Sequence, residues 1–139
     1  MLPRAIVTIS ATALAVLAWS CDEPPDLPTS PSSLVEGIVI YEHADFLGNA
    51  GYITTDIDDL RDFKGPCIHE GSDGVTRDWN DCVSSVRIAP GWHATIYKDT
   101  DYRDDSLQVT GDVPNLERVP GDCDPGLNDC ISSVRVSRD

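Results

Sequence analysis

The chain has 139 residues and a formal net charge of −14 at neutral pH. This length suits one domain, or one domain preceded by a leader. Phosphate binding needs a basic surface, so the acidic chain is disfavoured as a nucleic-acid binder, whereas binding of calcium or of basic proteins stays compatible with it.

Residues 1–20 are typical of a secretory signal peptide. They contain one arginine, no acidic residue and an apolar run from Ala5 to Ala18, which is too short to span a bilayer as a mature helix. Cleavage before Cys21 suits either the ordinary signal peptidase or a lipoprotein pathway that acylates this cysteine, although Trp19 departs from the usual lipobox. We expect an exported protein that is lipid-anchored to a bacterial envelope through Cys21 or else secreted.

The segment that follows the leader is predicted to be an extended tether over 21–36. Residues 22–36 hold four prolines and three serines and show no periodic apolar face, a composition typical of linkers. Such a tether would hold a folded domain away from a membrane. The folded domain is therefore expected over 37–139, roughly a hundred residues, which is enough for one modest core.

This folded part consists of two copies of one pattern, motif one over 37–90 and motif two over 91–139. Residues 80–88 read Asn-Asp-Cys-Val-Ser-Ser-Val-Arg-Ile, and residues 128–136 repeat them with valine and isoleucine exchanged at two positions. Oxygen-bearing side chains before an alternation of apolar and charged residues are typical of a loop that leads into a strand. The pattern predicts one oxygen-rich loop in each copy.

Each copy is predicted to contain four short antiparallel strands and no long helix. A hairpin with aromatic residues near its ends spans 37–55 in motif one and 92–110 in motif two. A connection with inward-pointing apolar residues follows, with at most one helical turn near 58–63, and the Ser-Ser-Val-Arg strand ends the copy. Two such Greek-key motifs are predicted to pack as an all-β sandwich. Core anchors are expected at Trp79, Trp92 and Leu127.

The spacing of four cysteines predicts how they pair. Equivalent residues are fifty-six apart up to Cys67 and Cys123 and forty-eight apart afterwards, so motif one has eight extra residues, all before Cys82. An insertion confined between two cysteines indicates a surface loop, within 68–78, closed by a bridge. Of the three possible pairings we expect Cys67–Cys82 and Cys123–Cys130, which treats the two copies alike.

These features resemble the βγ-crystallin family, in particular its microbial calcium-binding branch. In that family each Greek-key motif has an aromatic, four residues, an aromatic, one residue and Gly, as seen at 41–48. It also has a signature of two Asn or Asp, two variable residues, Ser or Thr, and Ser, as seen at 80–85 and 128–133. Asp104 departs from the pattern because Gly is usual there. Aspartate tolerates a positive φ better than most residues, so we expect the hairpin to form.

The resemblance implies two calcium sites that cross between the motifs. Each site would use the second signature residue, a backbone carbonyl from a hairpin and a serine hydroxyl of the opposite motif. The first signature residue would donate a backbone oxygen or brace the loop. Calcium accepts six to eight oxygen ligands in irregular geometry. The implied site residues are Glu42 and Lys98, through their carbonyls, with Asn80, Asp81, Ser84, Asn128, Asp129 and Ser132.

Other chemistries lack the spacing that they require. The acids at 99–104 begin like an EF-hand but place Arg103 at a ligand position, and the chain has neither a Cys-x-x-Cys pair nor a Gly-x-Ser-x-Gly context. We expect a non-enzymatic calcium-binding domain stabilised by two Ca²⁺ and two disulfides. The alternative is a protease-inhibitor or toxin-like module that acts on an unidentified protein through the 68–78 loop. For the signature alone, the alternative to a metal site is a capped turn before a strand.

Overall fold

The structure is a computed structural model that describes residues 36–139. The predicted signal peptide and the tether with Cys21 lie outside the described residues, except for Glu36. Within the described part, no helix is long and apolar enough to cross a membrane. The strands are β1 (Ile38–His43), β2 (Leu47–Ile53), β3 (Lys64–Gly71), β4 (Gly74–Asp78), β5 (Ser85–Ile88), β6 (Trp92–Asp99), β7 (Arg103–Val109) and β8 (Ser133–Arg138).

Each copy of the repeat forms a three-stranded antiparallel sheet. Sheet one has the order β2-β1-β5, and sheet two has the order β7-β6-β8. Alternate residues along the central strands are fully buried, such as Ile38 and Ile40 in β1 and Ala94 and Ile96 in β6. These side chains form one shared core, and the burial of apolar area stabilises it. The predicted all-β sandwich of two Greek-key motifs is confirmed.

The fourth strand predicted for each motif is a single bridging residue that crosses to the other motif. Ile57 of motif one pairs with Val134 of β8, and Val113 of motif two pairs with Val86 of β5. Each bridge has two backbone hydrogen bonds of 2.8 to 2.9 Å. Because each motif completes the other's sheet, the two signature loops lie side by side. The turn expected near 58–63 has backbone hydrogen bonds three residues apart, and its counterpart is a 3-10 turn over Leu116–Arg118.

An aromatic pair closes the turn of each hairpin. In motif one, the rings of Tyr41 and Phe46 meet edge to face with centroids 5.7 Å apart, and the Arg87 guanidinium lies 4.0 Å from the Phe46 centroid. Such contacts add to the area that the rings bury. The corresponding residues of motif two, with the same distances, are Tyr97, Tyr102 and Arg135.

Asp104 takes the backbone conformation that the repeat requires of it. Its φ is +64°, close to the +78° of its counterpart Gly48. The strands β6 and β7 also keep the register of β1 and β2, including the irregularity near the turn. The expectation that aspartate would be tolerated here is therefore confirmed.

Two of the three predicted core anchors are buried. Trp79 and Leu127 are 2% and 3% exposed, and a Cβ added to Gly65 or Gly121 would collide with the side chain of the neighbouring anchor. Glycine at these positions therefore permits close packing beneath each signature. The prediction for Trp92 is wrong because this residue begins β6 at the end of its sheet and is half-buried.

Both predicted disulfides are present, and they join Cys67 to Cys82 and Cys123 to Cys130. The insertion between the first pair is more ordered than the surface loop that the sequence predicted. It belongs to a two-stranded antiparallel hairpin of β3 and β4, termed the inserted hairpin. The predicted disulfide closes a surface segment over 68–78, as expected, and the strand pairing within this segment was not predicted.

The inserted hairpin has one solvent-facing side and one side against the body of the domain. Ile68 and Val75 are 53% and 65% exposed and share the outer side, since cross-strand partners and alternate residues point the same way. The inner side carries His69 and the buried Asp78, with His69 Nε2 3.1 Å from Asp78 Oδ1. The hairpin is thus fixed at its base by the disulfide and by a buried carboxylate.

Candidate metal centre

The second residue of each signature has a left-handed backbone. Asp81 has a φ of +50° and Asp129 a φ of +52°, a conformation that aspartate and asparagine adopt more readily than other residues do. The preceding side chain then donates to one carboxylate oxygen, from Asn80 to Asp81 Oδ2 at 2.6 Å and from Asn128 to Asp129 Oδ2 at 2.7 Å. The two asparagine side chains therefore brace their loops, which is one of the two roles expected for them.

The two signature loops are bonded to each other across the motifs. The Asp129 N–H donates to the Val83 carbonyl oxygen at 3.2 Å, and the Asp81 N–H donates to the Ile131 carbonyl oxygen at 3.1 Å. Each aspartate is consequently held two residues before the opposite motif's last strand. The two signature loops are therefore adjacent, as the crossed ligation implied by the resemblance would require.

Three of the predicted site residues meet within hydrogen-bonding distance, and we term this group site one. The Ser84 hydroxyl lies 2.8 Å from the Glu42 carbonyl oxygen and 3.3 Å from Asp129 Oδ1. These oxygens come from a hairpin of motif one, the signature of motif one and the signature of motif two. A concavity of about 460 Å³ opens above them, and its lining also includes Asn128, Asp81 and Glu117.

Site two is the equivalent group of Lys98, Ser132 and Asp81. The Ser132 N–H donates to the Tyr97 carbonyl oxygen at 2.9 Å, just as the Ser84 N–H donates to Tyr41, so the backbone repeats that of site one. Ser132 lines a separate concavity of about 350 Å³ together with Asn80. Asp81, in contrast, lines the concavity of site one. The structure therefore brings the predicted oxygens of site one together more closely than those of site two.

Two further serines hold the hairpin turns beside the sites, and the predicted site did not include them. The Ser85 hydroxyl donates to the His43 carbonyl oxygen at 2.6 Å and accepts from the Phe46 N–H at 3.0 Å. Ser133 accepts from the Tyr102 N–H at 3.1 Å in the same way. They are the sixth residue of each signature, so the repeat itself marks them. They position the hairpin from which the site carbonyl comes.

Burial makes the two signature carboxylates costly to ionise. Burial raises the pKa of Asp129, and the hydrogen bonds from Ser84 and Asn128 act in the opposite direction. Burial likewise raises the pKa of Asp81, against the opposing effects of His69 and Asn80. A cation beside a carboxylate favours its ionised form, so a bound cation would reverse this cost.

The donors at site one fit calcium in their chemistry. A carboxylate, a backbone carbonyl and a hydroxyl are the hard oxygen ligands that Ca²⁺ takes, with water completing its coordination. No group of three or more His, Cys, Asp or Glu side chains in residues 36–139 is arranged to hold a metal ion. Binding here would therefore depend on the mixed set of Glu42, Ser84 and Asp129.

Comparison with known proteins adds a family and a set of relatives. The model of peptidase inhibitor family I36 matches residues 40–110, just over half of the chain. Spherulin-3A from Physarum polycephalum is 28% identical over 102 residues, which is 72% of this chain and 81% of that protein.

Solved structures with the same fold are βγ-crystallin domains. A domain from work on the evolution of the eye lens βγ-crystallin domain fold has a TM-score of 0.58 and 27% identity, over 76% of this chain and 89% of its own. A βγ-crystallin domain from Flavobacterium johnsoniae has a TM-score of 0.53 and 27% identity, over 75% and 97%. The fold predicted from the sequence is therefore also the fold of these relatives.

Proposed function

The chain belongs to peptidase inhibitor family I36 and has the fold of a βγ-crystallin domain, and on this premise we propose that it is a non-enzymatic calcium-binding domain with two Ca²⁺ sites. One observation carries the proposal, namely the contact of the Ser84 hydroxyl with Glu42 and Asp129 across the two motifs. Bound calcium would supply positive charge between them. The residues of the chain supply hard oxygens from one hairpin and from the two signature loops.

Calcium bound in this way would stabilise the domain. Since Asp129 and Ser84 belong to different motifs, ligation by both favours the packed sandwich over any state in which the motifs separate. A ligand that binds the folded state alone adds about 1.4 kcal/mol per site at ten times its dissociation constant. The two disulfides favour an oxidising compartment, and we propose that the protein is exported, either secreted or anchored through Cys21.

Calorimetric titration of the chelator-treated protein with calcium tests this function. We expect two binding events per chain and a higher melting temperature in calcium. Asp129→Asn should weaken one event at least tenfold because it removes the ionised ligand. Asp73→Asn is the control, since Asp73 is an exposed carboxylate at the turn of the inserted hairpin. No heat of binding together with an unchanged melting temperature would refute the function.

The family match also favours a second candidate, inhibition of an extracellular peptidase. The inserted hairpin presents exposed Ile68 and Val75 on a segment that the Cys67–Cys82 disulfide holds at its base. A segment ordered in advance loses less entropy when a partner binds it. The hairpin would act as a protein-binding surface and would not need calcium.

A panel of secreted peptidases tests this second candidate. The wild type should inhibit one of them equally in calcium and in chelator, and the double variant Ile68→Glu/Val75→Glu should lose at least tenfold in potency. Leu47→Glu is a matched control because Leu47 is similarly exposed, at 62%, on β2. Equal potency of all three proteins would exclude the inserted hairpin as the inhibitory surface.

A further inference from the structure

The two candidate sites carry opposite charges at one equivalent position. Glu117 lines the concavity of site one, and Arg61 lines the concavity of site two. The two residues are fifty-six apart, the offset that relates the copies upstream of Cys67 and Cys123. The repeat therefore places a carboxylate and a guanidinium in matching surroundings.

The backbone holds both positions beside the site serines. The Leu116 N–H donates to the Ser84 carbonyl oxygen at 2.9 Å, and the Leu60 N–H donates to the Ser132 carbonyl oxygen at 2.8 Å. Both leucines are fully buried, so they anchor their segments in the core. The charged residue that follows each leucine is thereby fixed next to its site.

The surroundings of Glu117 leave its carboxylate available. Its backbone N–H donates to Asn115 Oδ1 at 2.8 Å, which caps the 3-10 turn. Its carboxylate forms no ion pair with the residues described between 36 and 139. Glu117 and Asp129 line the same concavity, so two carboxylates face one candidate site.

Arg61 is held in place by a carboxylate that motif two lacks. Its Nε and Nη2 atoms lie 2.9 Å and 2.6 Å from the two oxygens of Asp59, and the counterpart of Asp59 is the neutral Asn115. Arg103 also lines the concavity of site two. Its counterpart in motif one is the uncharged Leu47.

The residues that line the two concavities consequently differ in net charge. The concavity of site one is lined by the acidic Glu42, Glu117 and Asp129, and by Asp81, which the repeat assigns to site two. The concavity of site two is lined by Arg61, Arg103 and Asp99, and the two arginines pair with Asp59 and Asp101. Positively charged side chains repel a cation and negatively charged side chains attract it. Both effects are strongest where a concave surface limits screening by water.

We propose that Glu117 is an additional calcium-binding residue of site one and that Arg61 weakens site two, so that the protein binds one Ca²⁺ at least tenfold more tightly than the other. This inference rests on the proposed calcium function. Glu117 and Arg61 both lie outside the two signatures, so the signatures alone assign them no role in calcium binding. Tight binding at one site and weak binding at the other would give a response to calcium over two concentration ranges.

Titration of the wild type, Glu117→Gln and Arg61→Gln with calcium tests the proposal. The wild type should show two dissociation constants at least tenfold apart. Glu117→Gln should weaken the tight site at least fivefold and leave the weak site unchanged, whereas Arg61→Gln should strengthen the weak site at least threefold. Glu70→Gln is the matched control, since Glu70 is an exposed carboxylate of β3 outside both concavities, and it should change neither constant more than twofold.

The outcomes separate this inference from the function on which it rests. Two equal sites in the wild type, or a tight site that Glu117→Gln does not weaken, would overturn the inference and leave calcium binding intact. A wild type without calcium binding would overturn both. Melting curves of all variants in chelator establish that each is folded, and the effect of Arg61→Gln should diminish at high salt because screening reduces the repulsion.

Discussion

The two segments closed by disulfides have the same ends and different contents. Cys67 and Cys82 enclose most of the inserted hairpin, whereas Cys123 and Cys130 are joined over a sequence separation of seven. Each segment nevertheless ends with a signature aspartate, and the two aspartates have nearly the same φ at equivalent positions of the two motifs. The framework therefore fixes where each segment begins and ends and leaves its length free, as is usual for surface connections.

The difference teaches which contacts belong to the framework and which belong to the insertion. Gly65 and Gly121 beneath the signatures occur in both copies, so this close packing is part of the framework. The buried Asp78 occurs once, and its counterpart is Gly126 with a φ of +64°. Changes to shared features should affect the two copies alike, and changes to Asp78 should affect motif one alone.

Removal of the disulfides should have the largest effect and should rank the two segments by length. In the chain-entropy account, a bridge over fifteen residues contributes about 3 kcal/mol and a bridge over seven about 2.4 kcal/mol. Cys67→Ala/Cys82→Ala should therefore lower the free energy of unfolding slightly more than Cys123→Ala/Cys130→Ala. Urea unfolding measures both, with the unreduced wild type as reference. A clearly larger loss from the shorter bridge would contradict the account.

Asp78→Ala should have an intermediate effect that has no equivalent in motif two. The carboxylate accepts from the Asn80 N–H at 3.1 Å and from the Thr76 hydroxyl at 3.0 Å, and alanine would leave these donors without that partner. We expect a loss of about 1 to 3 kcal/mol in urea unfolding. Asp73→Ala at the exposed turn should cost less than about 0.5 kcal/mol. Equal losses from both variants would mean that Asp78 does not fix the hairpin.

The smallest effect should come from the position where the two hairpins differ in residue type. A left-handed conformation costs an ordinary residue about 1 to 2 kcal/mol, so Asp104→Gly should leave stability unchanged or raise it by up to about 1 kcal/mol. Gly48→Ala should lower it by about 1 to 2 kcal/mol, because a Cβ there would also lie 2.8 Å from His43 Cδ2. Thermal unfolding in chelator compares the two variants, and shifts of the same sign would contradict the prediction.

Much of the fold could be predicted because the sequence contains two copies of the same motif. The common offset of the aromatic residues, glycines and cysteines predicted the strands of both motifs and the pairing of Cys67 with Cys82. The inserted hairpin was missed because residues 68–78 show no alternation of apolar and polar side chains. Its order depends on a disulfide and on a buried carboxylate, which are tertiary contacts. Trp92 was misplaced because hydrophobicity does not tell the end of a sheet from its middle.

The candidate site could be predicted as a set of residue types and less well as a set of charges. The contact of Ser84 with Glu42 and Asp129 follows the crossing that the resemblance implied. Glu117 and Arg61 are equivalent positions of the repeat with opposite charges, fifty-six residues apart. Nothing in the sequence alone places either of them beside a site. Only the crossing of the motifs puts Glu117 near Ser84, so a pairwise comparison of the copies becomes informative once the fold is known.

The exchange of Ile57 and Val113 has a consequence for how the molecule can be divided. A fragment that ends at residue 90 would contain Ile57, which pairs with Val134 of the missing motif. It would lack Val113, which pairs with Val86 of its own sheet. Separately produced halves should therefore remain unstructured alone and recover the native spectrum when mixed. A single cut in the connection between β5 and β6 should, for the same reason, leave an associated complex rather than two independent pieces.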